Sequence, residues 1–231
     1  MNALDHPAHH MNGALRKFSA LFVVVIVLVT AASSFAHETQ AGAGTTQTRG
    51  FTLAIPDVRV LDQNGHPLDF YRDLVKDKTV AVNFIFTSCE TVCPITTAVM
   101  RDAQARTAVK DAVQFISISV DPEIDTPAVL ARYAARFHAP PGWTFVTGDR
   151  AQIEKLLKAF GVTAADKNNH TPLVFVGNDH VSEWTRISGF ASADQLARAV
   201  EQADSKGRAP APALAKLVAT PSRAAGGDGA R

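Results

Sequence analysis

Apolar and polar positions along the chain divide it into short β-prone runs separated by segments of helical spacing. Val80 to Phe86 (Val-Ala-Val-Asn-Phe-Ile-Phe) is a near-continuous run, as expected of a strand buried on both faces. Val113 to Val120 has the same character and predicts a second central strand. Between them, Pro94 to about Val109 has helical spacing, with Pro94 in the first turn, where its missing N–H costs little. A second helix is expected from Pro127 to about His138, capped by Asp125 or Thr126. Trp143 to Thr147 predicts a short strand, and Asp149 caps a helix to about Phe160. Leu173 to Val176 and Val181 to Ile187 flank Gly177-Asn178-Asp179 and read as a hairpin. Ser192 caps a last helix to about Ala203. Near the front, Phe51 to Leu61, the turn Asn64-Gly65 and Pro67 to Phe70 read as a β-hairpin.

Helices between strands imply a sheet with parallel members and helices on both faces. The expected fold class is α/β, a three-layer sandwich around a central mixed sheet with an N-terminal β-hairpin. The domain is placed at 51–204. Residues 37–50, rich in Gly, Thr, Gln and Ala, read as a flexible linker, and 205–231 as a disordered Ala/Pro/Gly-rich tail. Residues 1–36 read as a signal peptide: Arg16 and Lys17 precede the apolar run Leu21 to Val29, and Ser34-Phe35-Ala36 has the small-x-small form of a cleavage site. The apolar run is short of the roughly 20 residues a membrane span needs, so cleavage is favoured over retention as an N-terminal anchor. Either outcome places the domain outside the cytoplasm, most simply in a bacterial periplasm, free or tethered to the inner membrane. Cleavage after Ala36 would leave His37 first, its amine and ring able to chelate a metal ion, against the reading of a flexible, unliganded end.

Composition adds a real core and removes some partners. The 231 residues are 46% hydrophobic and 19% charged, with a formal charge of +1. No basic stripe with interleaved aromatics is present, so no nucleic-acid partner is expected. The chain has only two cysteines, which excludes a disulfide scaffold.

Those cysteines carry the candidate chemistry. Cys89 follows the strand Val80 to Phe86, and Cys93 opens the next helix. Sites of α/β sheets lie at the carboxyl ends of strands, and a helix N-terminus favours a thiolate. A spacing of four puts both sulfurs on one helical face, able to share a metal or to form a disulfide. The competing reading is a pair of buried structural cysteines. Two thiolates are soft ligands suited to copper(I) or zinc; zinc asks for four ligands, copper(I) is content with fewer. A third ligand must come from elsewhere, and His170, just before Thr171-Pro172 and the strand from Leu173, is the best candidate, against a solvated loop histidine. His66, His138 and His180 read as exposed.

The stretch Phe84 to Pro94 (Phe-Ile-Phe-Thr-Ser-Cys-Glu-Thr-Val-Cys-Pro) resembles the core motif of the SCO/SenC proteins, and Ser117 to Pro127 (Ser-Ile-Ser-Val-Asp-Pro-Glu-Ile-Asp-Thr-Pro) resembles that family's second signature. Tyr133, Phe137, Trp143 and Thr147-Gly148 continue the likeness, and His170 falls where the family's copper-binding histidine is expected. The resemblance implies a thioredoxin-like fold and copper(I) held by Cys89, Cys93 and His170. It implies delivery of copper to the dinuclear copper site of cytochrome c oxidase, or reduction of that site's cysteines, during assembly. The partner would be a copper-accepting oxidase subunit or another periplasmic thiol protein. Such a metallochaperone has no turnover of its own. Asp121, Asp125 and Pro127 of the second signature read as structural, through capping and loop hydrogen bonds.

Two features pull toward other chemistry. The commoner family motif has proline after its first cysteine, and this chain has Glu90, whose charge would raise a neighbouring thiol pKa unless it turns to solvent. His170-Thr171-Pro172 resembles the cis-proline step that faces the active cysteines of thioredoxins. The alternative function is therefore a thiol-disulfide oxidoreductase using the redox pair Cys89 and Cys93, with Cys89 as the attacking thiol. A peroxide reductase would further need an arginine beside the thiolate, for which Arg101 and Arg186 are the candidates.

Overall fold

The computed structural model describes residues 44–162 and 171–208. Their strands are β1 (Thr46–Phe51), β2 (Arg59–Asp62), β3 (Pro67–Asp69), β4 (Thr79–Ile85), β5 (Val113–Ser119), β6 (Trp143–Thr147), β7 (Leu173–Asn178) and β8 (Glu183–Ser188). The helices are α1 (Val92–Arg106), α2 (Pro127–Arg136), α3 (Arg150–Ala159) and α4 (Ala193–Arg208), with a π-helical turn at Phe70–Val75. The sheet order is β1-β8-β7-β4-β5-β6-β2-β3. β4, β5 and β6 run parallel, and the other pairs are antiparallel. This is the mixed α/β sheet the periodicity predicts.

β4 and β5 sit at the centre of the order, and their residues are almost all buried, which is why they read as unbroken apolar runs. Two of their polar residues face each other: the Ser117 hydroxyl donates to Asn83 Oδ1 at 2.6 Å and accepts from Trp143 Nε1 at 2.9 Å. Thr79 of β4 donates to Asp204 of α4 at 3.2 Å, which fixes the side of the sheet that α4 covers. α1 packs against α4, and its Thr97 hydroxyl meets the Tyr133 hydroxyl of α2 at 2.8 Å. By strand alternation Phe84 points to the opposite side from Thr79. There it meets Phe160, at the end of α3, with ring centroids 5.5 Å apart. Helices therefore cover both faces, and the sandwich has three layers.

The sequence reading needs correction at both ends of the domain. Thr46–Phe51, mostly inside the segment read as linker, is strand β1, paired antiparallel to β8. Most of its side chains are exposed, so it lacks the apolar alternation by which strands are recognised; backbone pairing and the Thr45 hydroxyl bond to the Phe190 carbonyl (2.9 Å) hold it. At the other end α4 continues to Arg208, four residues into the segment read as tail. There Arg208 lies against Asp204 one turn back, at 2.5 Å. The predicted N-terminal hairpin is present as β2–β3, but 52–58 ahead of it is not strand, and β2 joins the main sheet through β6. Residues 1–36, the first half of the linker reading (37–43) and 209–231 lie outside the described residues. Among the described residues no helix is long and apolar enough to cross a membrane.

Candidate functional site

Cys89 lies in the loop that leaves β4, and Cys93 is the second residue of α1. The loop is tight, because the Cys89 N–H donates to the Phe86 carbonyl at 3.1 Å. The Cys93 N–H then points at Cys89 Sγ, 3.4 Å away. Both cysteines are free thiols; Cys89 is half-buried and Cys93 is 1% exposed.

Their environments push them apart electrostatically. Partial burial raises the Cys89 pKa, but the N–H groups of Cys93, Thr91 and Val92 and the Cys93 thiol favour the thiolate more strongly, and the net shift is below the ordinary value of 9.0. Deep burial pushes Cys93 up to about 12, helped by its hydrogen bond to Cys89 and by the charges of Cys89 and Asp125, while the contact with the Phe86 backbone opposes. Cys89 is thus the more accessible and more readily ionised sulfur, and Cys93 is a protonated reserve behind it. Glu90 is exposed, turned to solvent as the neutral case for that residue required.

A cavity of about 30 Å³ opens beside the pair, lined by Cys93, Val92, Thr96, Phe84, Thr171 and Pro172 among others. It lies between the start of α1 and the chain entering β7. No peptide bond among the described residues is cis, Thr171–Pro172 included, so the likeness to the thioredoxin proline step does not extend to its peptide geometry. His170 lies outside the described residues; its chain neighbour Thr171 lines the cavity with Cys93. Among the described residues no group of three or more His, Cys, Asp or Glu is placed to hold a metal. His66, His138 and His180 are exposed as expected; His66 Nδ1 lies 3.1 Å from Asp62 Oδ2 in its own turn. Arg101 is engaged with its neighbour Asp102 at 2.7 Å, and Arg186 is exposed on β8.

Asp125 plays the structural part expected of it through hydrogen bonds rather than as the helix cap. Thr126 occupies the N-cap position of α2, without a side-chain cap bond. Asp125 turns inward and is wholly buried. Its Oδ1 accepts from the Thr87 hydroxyl at 2.6 Å and its Oδ2 from the Ser119 hydroxyl at 2.6 Å. The Thr87 N–H approaches both oxygens, at 3.2 and 3.3 Å. Sequence reasoning missed Thr87 and Ser119. The available signal was a hydroxyl at or just past the end of each central strand, with an Asp nearby that the helix cap did not need.

A mixed sheet flanked by helices, with two thiols at the join of a parallel strand and the next helix, defines a thioredoxin-like thiol protein. The SCO1/SenC family model matches residues 47–208, and the chain belongs to that family. The SCO1 protein homolog of Bacillus subtilis is 41% identical over 90 residues, covering 37% of this chain and 47% of that protein. A Stutzerimonas stutzeri protein named "Putative copper-binding protein" is 33% identical over 111 residues, covering 47% and 52%. The chain thus spans about half the length of the curated relatives it matches. Among solved structures, BsSco superposes with a TM-score of 0.56 at 28% identity, over 68% of this chain and 96% of that one. It is described as a member of the Sco family of cytochrome c oxidase assembly proteins with a disulfide switch.

Proposed function

We propose that this protein is an exported copper(I) carrier. In this reading Cys89, Cys93 and His170 bind the metal and hand it to a copper-accepting subunit of cytochrome c oxidase in the periplasm. The observation that carries the reading is the pair of free thiols, one more readily ionised and one close behind it, with Thr171, the chain neighbour of His170, in the wall of the cavity that Cys93 lines. Two soft sulfurs and an imidazole suit copper(I), whose binding releases the thiol proton of Cys93 and leaves oxidation states unchanged. Family membership and the relative named for copper support it. Export rests on the basic, apolar and small-residue pattern of residues 1–36.

The unequal thiols also favour a second use of the site, as a reductant of the acceptor's cysteines. The Cys89 thiolate attacks a partner disulfide, forming a mixed disulfide and releasing one partner thiolate, which takes up a proton. Cys93 then loses its proton and attacks Cys89, releasing the second partner thiol. Two electrons pass to the partner and a Cys89–Cys93 disulfide remains. The disulfide switch described for BsSco supports this step.

Titration of the reduced protein with copper(I) against a chromogenic chelator separates the two uses. The carrier reading expects stoichiometric uptake and a loss of roughly tenfold or more in affinity for His170→Ala. Unchanged affinity in that variant removes His170 from the ligand set. No uptake by a protein that still reduces a dithiol-acceptor disulfide leaves the thiol-exchange use alone.

A further inference from the structure

Asp125 is a buried charge that neither copper binding nor disulfide exchange uses. A carboxylate taken wholly out of water is costly unless donors surround it. Its donors here are two hydroxyls and one backbone N–H, and both hydroxyl contacts are 2.6 Å, the short range of charge-assisted O–H···O bonds. The two hydroxyls belong to different parts of the site. Thr87 is in the loop two residues before Cys89, and Ser119 ends β5, which pairs in parallel with β4. Asp125 itself sits at the end of a turn closed by its own N–H on the Asp121 carbonyl at 2.9 Å. One carboxylate thereby ties the second family signature to the cysteine loop.

That loop has little slack. Its Phe86–Cys89 turn contains Thr87, and the placement of Cys89 Sγ before the N–H of Cys93 depends on the direction in which the turn leaves β4. We propose that Asp125, acting through Thr87, is the positioning residue that holds Cys89 where the amino end of α1 meets its sulfur. The proposal rests on the reading of Cys89 and Cys93 as the working thiols. It assigns Asp125 no contact with copper or partner.

Thr87→Val removes the hydroxyl at nearly constant shape, and Thr87→Ser restores it. Loss of the hydroxyl loosens the turn and leaves the Asp125 charge less satisfied. Both effects disfavour the Cys89 thiolate. In reduced, metal-free protein at pH 7, iodoacetamide modification of the Cys89 peptide is expected to slow about fivefold in Thr87→Val, the effect of losing one ordinary hydrogen bond. Thr87→Ser should react at the wild-type rate. Ser119→Ala, which frees the other carboxylate oxygen, should slow it too. The double variant should fall short of the product of the single effects, because both hydroxyls act through one carboxylate. Thermal unfolding of each variant records whether it folds. A wild-type rate in Thr87→Val, an equal loss in Thr87→Ser, or independent multiplication of the two single effects overturns the proposal. The measurement needs neither copper nor a partner: a wild-type protein that takes up no copper and exchanges no disulfide sinks the function above and leaves these rates readable.

Discussion

Two buried carboxylates lie at opposite ends of β4, and they are satisfied by different means. At the start of the strand, Asp204 accepts from Thr79 at 3.2 Å and faces the Arg208 guanidinium at 2.5 Å, a contact of charges rather than an aligned hydrogen bond. Asn178 donates to the same Thr79 oxygen at 2.7 Å and accepts from the His180 N–H. Gly207 leaves that asparagine room: a Cβ there would lie 2.1 Å from its Nδ2. Beyond the end of the strand, Asp125 has hydroxyls and a peptide N–H as its donors, and its charge bears on Cys93. One end matches a buried charge with a cation and locks the last helix to the sheet. The other supports a buried charge with neutral dipoles beside two thiols. The first arrangement serves stability; the second costs some and sets the electrostatics of a reactive pair.

The largest expected effect belongs to the thiol end. Cys93→Ser should lower copper(I) affinity by about 4 kcal/mol, near a thousandfold, because a thiolate ligand is replaced by a hard oxygen. Competition titration reads it, with the unfolding temperature as the control for folding. Retention of wild-type affinity would show that Cys93 is packing and that the comparison of the two ends is misdrawn.

Next in size is the alkaline limb of stability. Cys93 titrates near 9.0 when unfolded and near 12 when folded. A raised pKa means its contribution is whole below pH 9 and is lost as pH climbs toward 12. The reduced protein should therefore lose about 2 to 3 kcal/mol between pH 9 and pH 11. Cys89, shifted down, acts with the opposite sign: its contribution is present above 9.0 and declines as pH falls through its folded value. Tyr133, raised chiefly by burial, adds to the alkaline loss. Urea midpoints of wild type and Cys93→Ala across that window test it. Parallel slopes for the two would count against a buried thiol as the cause.

At the far end, Asp204→Asn should cost about 2 kcal/mol by weakening the match to Arg208 and Thr79, roughly 5 °C in melting temperature. It should leave Cys89 alkylation within twofold of wild type. A variant that melted normally but altered thiol reactivity would erase the division of labour between the ends.

How much of this was legible in the residues depends on which force placed each group. β4 and β5 were readable because burial on both faces leaves unbroken apolar runs. The cysteine pair was readable because spacing and a helix start suffice to bring two side chains together. β1 was not: an exposed edge strand is held by backbone bonds, which leave no apolar pattern. The last turn of α4 was hidden for a related reason, since the Asp204–Arg208 pair looks like any polar tail. Asp125 was legible as a structural residue, but the partners that its carboxylate meets were not. The i-to-i+2 logic of caps is local, whereas its partners Thr87 and Ser119 lie 38 and 6 positions away and meet it only when β4 and β5 are side by side. The unequal ionisation of the two thiols depends on depth, which a sequence spacing of four does not contain.

The smallest effect sharpens the comparison most finely, because it sets a solvent charge against a buried one. Glu90 adjoins Cys89 and is exposed, so its field reaches the sulfur through water. In the dielectric of water, a unit charge even at contact range is worth only about 1 kcal/mol. Glu90→Gln should thus speed Cys89 alkylation at neutral pH by about twofold in low salt. Salt near 1 M, with a Debye length of about 3 Å, should abolish the gain. The slowing in Thr87→Val acts through a buried hydroxyl and carboxylate, and it should persist in the same salt. If the Glu90→Gln gain survived, that side chain would be acting by contact rather than by field. If the Thr87→Val loss vanished with salt, the Asp125 carboxylate would be no better shielded from water than the glutamate.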